Sequence, residues 1–412
     1  MPIVVGGSGA SLSPEGIFEV VQADYIVVSN GEVPFVQLLS ALENGGSPEN
    51  IPGVGMRRDG RFHLSPPELK DVPPVRVNLG KWIDMKPYQR SGSSYNIQTK
   101  RGCTEKCIYC TYNRVLEGSR LRLRSPVDVV DEVEEALFTY HPESFEFVDS
   151  VFNQPFNHCT AILEEIVKRP WEAQFTAMGV SPKNVNDQFL DLMWRAGFTS
   201  FMMTPEAASE TMLKSYQKGF SLDDVIKAAE AVRKTRFTTL WYFLIGGPGE
   251  TNETLQETLD FTMKYLRLTK RPPYNMANFW LGVRIYPRTP LWHMAREEGF
   301  VNDSSDPLDQ LWYLSEKLDL GLAIKQMTEA AKKCPEISLG FDERLVSVTG
   351  MIGLFGELFK MPKPYWRHIW GMNQILIKTG LRYLFGPPKV VPLLQKYLAR
   401  QGYRGPLLDQ SS

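Results

Sequence analysis

Lys100-Arg101-Gly102-Cys103-Thr104-Glu105-Lys106-Cys107-Ile108-Tyr109-Cys110 is the stretch on which the reading of this chain turns. Three of the five cysteines fall within these residues, with three and then two residues between them. The stretch follows a short apolar run, Tyr95–Thr99, so the cysteines occupy a loop leaving a strand. A loop this short can aim three thiolates at one face of an iron–sulfur cluster. Such clusters are normally held by four cysteines. Three leave one iron open, which is where a substrate or cofactor can bind. A structural zinc site is the alternative. It needs four ligands, and the nearest histidines, His63 and His141, are more than thirty residues from the cysteines. Three inert buried cysteines are a further alternative. Cys159 and Cys334 stand alone and are expected in the core.

The rest of the chain sets the frame for that loop. It has 412 residues, 43% hydrophobic and 23% charged, which are values of a globular protein rather than a disordered or fibrous one. Forty-six basic against 47 acidic residues give a net charge of −1, so nucleic-acid binding by the whole surface is not expected. No apolar run is long enough to span a bilayer, and the N-terminus lacks the pattern of a signal peptide. A cytoplasmic location is expected.

Strand and helix signals alternate from about residue 94 to 300. Apolar runs lie at Tyr95–Thr99, Phe145–Asp149, Ala173–Ala177, Phe198–Met203, Thr239–Ile245 and Phe279–Tyr286. Helical patterns lie between most of them, for example at Pro126–Phe138, Leu222–Lys234 and Asn252–Tyr265. Six strands with crossover helices predict a parallel α/β sheet, either open and doubly wound or a partial (β/α)6 barrel, with its site at the carboxyl ends of the strands. Residues 1–45 read as β-α-β-α. Residues 46–93 read as a Pro- and Gly-rich linker with a hairpin turning at Asp59-Gly60. Residues 301–412 read as a mostly helical region.

The cysteine loop resembles the CxxxCxxC signature of the radical S-adenosylmethionine (SAM) superfamily, including the aromatic Tyr109 before the third cysteine. The resemblance implies a [4Fe–4S] cluster on Cys103, Cys107 and Cys110, with SAM on the fourth iron. In that family the reduced cluster cleaves the sulfonium, and the resulting 5′-deoxyadenosyl radical abstracts hydrogen from a substrate. Later strand ends resemble the cobalamin-domain branch of the family, in family order. Phe147-Val-Asp-Ser-Val-Phe152 is similar to its acidic segment, with Asp149 as the matching acid and Ser150 in place of a second one. Met203-Thr-Pro-Glu-Ala-Ala-Ser209 is similar to the stretch that approaches SAM. It carries Glu206, with Thr204 where glycine is usual, and leads into Leu213–Gly219. Ile245-Gly-Gly-Pro-Gly-Glu-Thr251 closely matches a further motif, whose Gly246, Gly247, Gly249 and Glu250 would receive the cofactor, Glu250 lying in the first turn of the next helix. Gly282-Val-Arg-Ile-Tyr-Pro-Arg-Thr-Pro-Leu291 resembles the segment near the adenine, with Arg288 replacing the usual glycine and Arg284 without an assigned role.

The N-terminal fragment is similar to the last part of the cobalamin-binding domain of this branch, through Val4-Val5-Gly6-Gly7, Pro14-Glu15, Ala23-Asp24-Tyr25 and Gly31-Glu32. Two parallel strands cannot cover a sheet, so the fragment is expected to be a remnant packed on the barrel or the end of a domain starting upstream of Met1. For residues 1–412 no stable cobalamin binding is expected. The resemblance further implies a reductant such as flavodoxin or ferredoxin and an organic substrate that the sequence does not name. Its relatives carry out methyl transfer, cyclisation and similar radical chemistry. No catalytic side chain is assigned. Two other classes stay open: a non-catalytic iron–sulfur sensor or redox protein, and a structural zinc protein. Between Leu358 and Leu408 nine Lys or Arg occur with no Asp or Glu, interleaved with aromatic residues. This tail is expected either to cap the barrel or to touch an anionic membrane surface.

Overall fold

The computed structural model describes residues 1–68, 75–90, 93–267, 274–302, 308, 311–339, 356 and 358–361. The chain begins with a four-stranded sheet, in the order β1 (Val4–Gly6), β2 (Tyr25–Val27), β3 (Val54–Arg58) and β4 (Arg61–Leu64). β1 and β2 are parallel, as their crossover through the helix Pro14–Val21 requires. β3 and β4 form an antiparallel hairpin added to β2. Asp59 (φ 48°) and Gly60 (φ 76°) both take left-handed backbone, the requirement of a two-residue turn whose twist matches the strands. The hairpin corrects the expectation of a linker without a core. Phe62 stacks 5.0 Å from Phe18, and Leu64 packs into the same cluster, so residues 54–64 complete the N-terminal lobe.

A parallel sheet follows: β5 (Tyr95–Ile97), β6 (Phe145–Phe147), β7 (Phe175–Val180), β8 (Phe198–Glu206), β9 (Thr238–Ile245), β10 (Tyr274–Leu281) and β11 (Ile337–Leu339). Each strand pairs with its neighbour in chain order, all in parallel. This is the partial α/β barrel expected, with one strand more. β11 lies within the region read as helical. Three residues behind Pro335 are too few to show a period of two.

Burial alternates along the strands. Thr239, Trp241, Phe243 and Ile245 of β9 are buried, and Trp241 and Phe243 face Phe261 of the helix Asn252–Phe261. Leu240, Tyr242 and Leu244 therefore turn to the inner face. Phe145, Phe147, Phe175 and Phe198 stack across three strands with ring centroids 5.3 to 5.8 Å apart. The crossover helices start on local signals. Ser125 caps Pro126–Tyr140, Ser221 closes a capping box with Asp224, and Thr251 caps Asn252–Phe261. Cys159 and Cys334 are buried in the core, as expected.

Of the basic tail, only residues 358–361 are among the described residues, so the expectation of a cap or membrane contact lies outside them. Among the described residues no helix is long and apolar enough to cross a membrane.

Candidate functional site

The cysteine loop begins where β5 ends. Asp149, just beyond β6, holds that exit. Its Oδ1 accepts from the Thr99 and Lys100 amides at 2.9 and 3.2 Å. Its Oδ2 accepts from the Thr99 hydroxyl at 2.7 Å and pairs with Lys100 Nζ at 3.2 Å. The side chain is fully buried. Asp149 was expected to bind cofactor; the structure shows both of its oxygens engaged within the fold. Its work is to fix the strand end from which the cysteines depart.

Gly102 makes the next turn. At φ 88° a Cβ would lie 2.1 Å from the Arg120 carbonyl, so no other residue lets the loop pass Gly118–Arg120 here. Cys103 then donates its amide to the Gly118 carbonyl at 3.1 Å. The Ile108 amide donates to the Tyr216 carbonyl at 3.3 Å, and the Leu291 amide to the Ile108 carbonyl at 3.0 Å. The loop is thus pinned from two directions. Cys103 and Cys107 are buried, Cys110 is half-buried, and all three thiols are free. Burial pushes each thiol upward, Cys103 to about 11 with its two neighbours adding repulsion, while Lys218 opposes the rise at Cys107 and Cys110. Three thiols held neutral in a dry mouth are suited to a cationic group that draws off their protons. Among the described residues no His, Cys, Asp or Glu side chains gather as three or more ligands of one metal ion. A cluster that spreads three thiolates over three irons asks for wider spacing than one zinc ion does.

Glu206 ends β8 with a left-handed backbone, φ 60°, and forms a buried ion pair with Lys218. Burial raises the Glu206 carboxyl, and the Lys218 charge opposes that rise. Lys218 Nζ also lies 3.3 Å from the Tyr109 hydroxyl. Glu105 of the cysteine loop accepts from the Gly219 amide at 3.0 Å. Tyr216 joins these parts to the glycine turn. Its ring meets Tyr109 edge-on at 5.7 Å, and its hydroxyl donates to the Leu244 carbonyl at 2.9 Å. The cysteine loop, Glu206 and the glycine turn therefore converge at one mouth of the barrel.

The glycine turn divides by residue. A Cβ on Gly247 would lie 2.3 Å from the Tyr216 ring, and one on Gly246 would lie 2.5 Å from Leu314. These two glycines serve packing. Gly249, at φ 78°, faces open space, so it alone of the three has room for a ligand against its backbone. Glu250 was expected in the first turn of the next helix and lies ahead of it instead. It is buried, and its Oε2 accepts from the Gly246 and Gly247 amides at 2.5 and 3.1 Å. Burial pushes it to about 8. It clamps its own turn and precedes the helix, whose first-turn acid is Glu253. Arg288, at φ 68°, occupies the left-handed backbone that suits the glycine it replaces, and its Nη1 donates to the Ser11 carbonyl of the lobe at 3.0 Å. Arg284 lies over the rings of Tyr286 and Trp312 at 5.5 and 5.9 Å.

Lys218, Tyr216 and Lys100 were not assigned from sequence. Lys218 stands in the stretch Leu213–Gly219 quoted above, and its partner Glu206 is twelve residues away, a pairing that no local period announces. A groove of about 610 Å³ between the helices Asp187–Arg195 and Leu222–Val232 lies outside the barrel and is lined by the Lys234–Asp187 pair and by Lys227. It has no part in this mouth.

Residues 97–262 match the radical SAM superfamily. Over those residues the chain carries a radical SAM domain. It is 26% identical over 286 residues to an uncharacterised methyltransferase of Pyrococcus horikoshii, covering 68% of this chain and 62% of the relative. It is 24% identical over 358 residues to the cytidylyl-2-hydroxyethylphosphonate methyltransferase of Streptomyces wedmorensis, covering 76% of this chain and 64% of that one. The chain thus spans under two thirds of the length of these relatives. In fold it is similar to the radical SAM methyltransferase TsrM of Kitasatospora setae, solved with cobalamin and a [4Fe–4S] cluster. The TM-score is 0.75 at 21% identity, over 92% of this chain and 81% of that one.

Proposed function

We propose that this protein holds a [4Fe–4S] cluster on Cys103, Cys107 and Cys110 and SAM beside it, and uses them for radical methyl transfer to an organic substrate. The observation that carries the reading is the mouth itself: three free thiols on a loop pinned to Tyr216 and Leu291, with the glycine turn packed on the same Tyr216 and Gly249 of that turn left with open space before it. When bound, the cluster and SAM supply reductive cleavage of the sulfonium and a radical able to abstract hydrogen.

The chain's own residues position and insulate. Asp149 and Lys100 hold the strand end. Tyr109 and Tyr216 wall the mouth, and the Glu206–Lys218 pair keeps a balanced charge beside the cysteines. Gly249 offers its backbone to the cofactor. A small reduced redox protein, flavodoxin or ferredoxin, supplies the electron, and five free cysteines suit a reducing cytoplasm. The methyl-transfer reading draws on the relatives' activities. The cleft between lobe and barrel measures about 220 Å³ and shares Gly7, Ser29, Gly31 and Glu32 with a second cavity of about 390 Å³; our reading is that residues 1–412 by themselves hold no stable cobalamin, because two parallel strands supply only part of its walls.

Anaerobic reconstitution tests the reading. The parent protein should load iron and sulfide and release 5′-deoxyadenosine or S-adenosylhomocysteine from SAM. Replacing the three cysteines by Ala should abolish the brown chromophore and both products. Full iron loading in that variant, or preferential zinc binding by the parent, would sink the proposal.

A further inference from the structure

Beneath the mouth, the inner face of the sheet carries a carboxylate that nothing described so far employs. Phe145 and Phe147 of β6 are buried in the outer core, so Glu146 between them points inward. It stands three residues before Asp149, about 10 Å below the mouth at strand spacing. Its register neighbours are Asn96 and Thr176. Buried acids of the barrel have partners. Asp149 has Lys100, Glu132 has Arg124, Glu206 has Lys218, and Glu250 has two amides. Among the described residues Glu146 makes no hydrogen bond or ion pair, and burial raises its carboxyl with no cation opposing.

Tyr242 of β9 stands on the same inner face. Burial and then the Glu146 charge push the Tyr242 phenol upward, although two strands separate them in the sheet. The phenol reaches Met202 Sδ at 4.0 Å, a weak acceptor that a ligand can outbid. Asn278, in register with Tyr242, has a buried Oδ1 with no hydrogen-bond partner. Met202, Leu240 and Met276 stand side by side across three strands and form a small apolar cluster with Tyr242. A half-buried carboxylate without a partner is costly until a cation meets it. Methionine-rich apolar surface adapts to varied shapes.

We propose that Glu146 is a substrate-recognising residue, and that the inner face takes a protonated amine, its nitrogen on Glu146 and Asn278 and its apolar body on Met202, Leu240 and Met276. This rests on the reading of the barrel as the substrate chamber of a radical SAM enzyme, and it names the substrate class.

The test uses the anaerobically reconstituted full chain and three probes of one shape: phenethylamine, phenethyl alcohol and 3-phenylpropionate, titrated by calorimetry. The amine should bind at least about tenfold more tightly than the alcohol, as a charge-assisted contact requires, and the acid most weakly. In Glu146→Gln the amine and alcohol should come within about twofold of each other. Equal binding of amine and alcohol to the parent overturns the proposal, with no variant needed. So does failure of the amine to bind at millimolar concentration, or a preference that survives in a folded Glu146→Gln. Iron and sulfide contents of the same samples separate the two readings. A full cluster without amine preference overturns this inference alone. Amine preference without a cluster overturns the cofactor reading alone.

Discussion

In the barrel, Phe145, Phe147, Phe175 and Phe198 stack over one another beneath the helices, and one continuous cluster runs from Met85 to Leu339. In the N-terminal lobe, Phe18 meets a half-buried Phe62, and the apolar residues divide into two small clusters on the two faces of the sheet. The lobe's strand β1 is an edge, and Ile3 beside it is half exposed. Both regions start as β-α-β, yet the barrel encloses its own core and the lobe leans on the barrel. Polar contacts across that junction include Arg288 to the Ser11 carbonyl, Ser29 to the Leu116 carbonyl, and the Arg101–Glu32 ion pair. The difference teaches that parallel strands gain stability by number. Each added strand offers both faces for burial, and two offer little.

The largest expected effect tests that contrast directly. Phe175→Ala should cost about 3–5 kcal/mol and lower the main melting transition, because the ring is fully buried among three others. Phe18→Ala should instead raise hydrogen exchange in β1 and β2 while the main transition stays near its place. If both substitutions lower one transition equally, lobe and barrel unfold as a unit and the contrast fails.

A smaller effect sharpens the contrast within the mouth. Gly247→Ala pushes a methyl into the Tyr216 ring and should cost about 1–3 kcal/mol in denaturant melts. Gly249→Ala meets no neighbouring atom, so its cost is the left-handed backbone, about 1–2 kcal/mol. SAM affinity should drop more in the Gly249 variant than in the Gly247 variant. The reverse order would assign the cofactor contact to the wrong glycine.

The smallest effect lies at the junction. Arg288→Gly relieves a left-handed arginine and loses the Ser11 contact, terms of about 1 kcal/mol each and opposite sign. Overall melting should hardly move. Faster exchange or proteolysis at Ser8–Leu12 should report a loosened lobe. An unchanged rate there would show that Arg288 does not hold the two regions together.

Much of this was legible from local patterns. The six strands between Tyr95 and Tyr286 showed themselves as apolar runs, and the crossover helices as periods with Ser125, Ser221 and Thr251 at their starts. The Asp59-Gly60 turn was legible because its backbone demands those residue types. β11 was not, since three residues carry no period, and the hairpin's partner was not, since a turn does not say which edge its strands will join.

By itself the sequence determined the order of the barrel strands, the position of the cysteine loop after the first of them, and the chemistry that three clustered thiols invite. Those features depend on neighbours a few residues apart. Only the tertiary structure decided which of the motif residues remain free for a ligand. Asp149 is spent on residues fifty positions away, Gly247 on Tyr216 and Glu250 on its own turn, while Glu146, unremarkable in sequence, is left unpaired on the inner face. The physical reason is that a polar side chain's availability is set by what else satisfies it, and those partners are brought together only by folding.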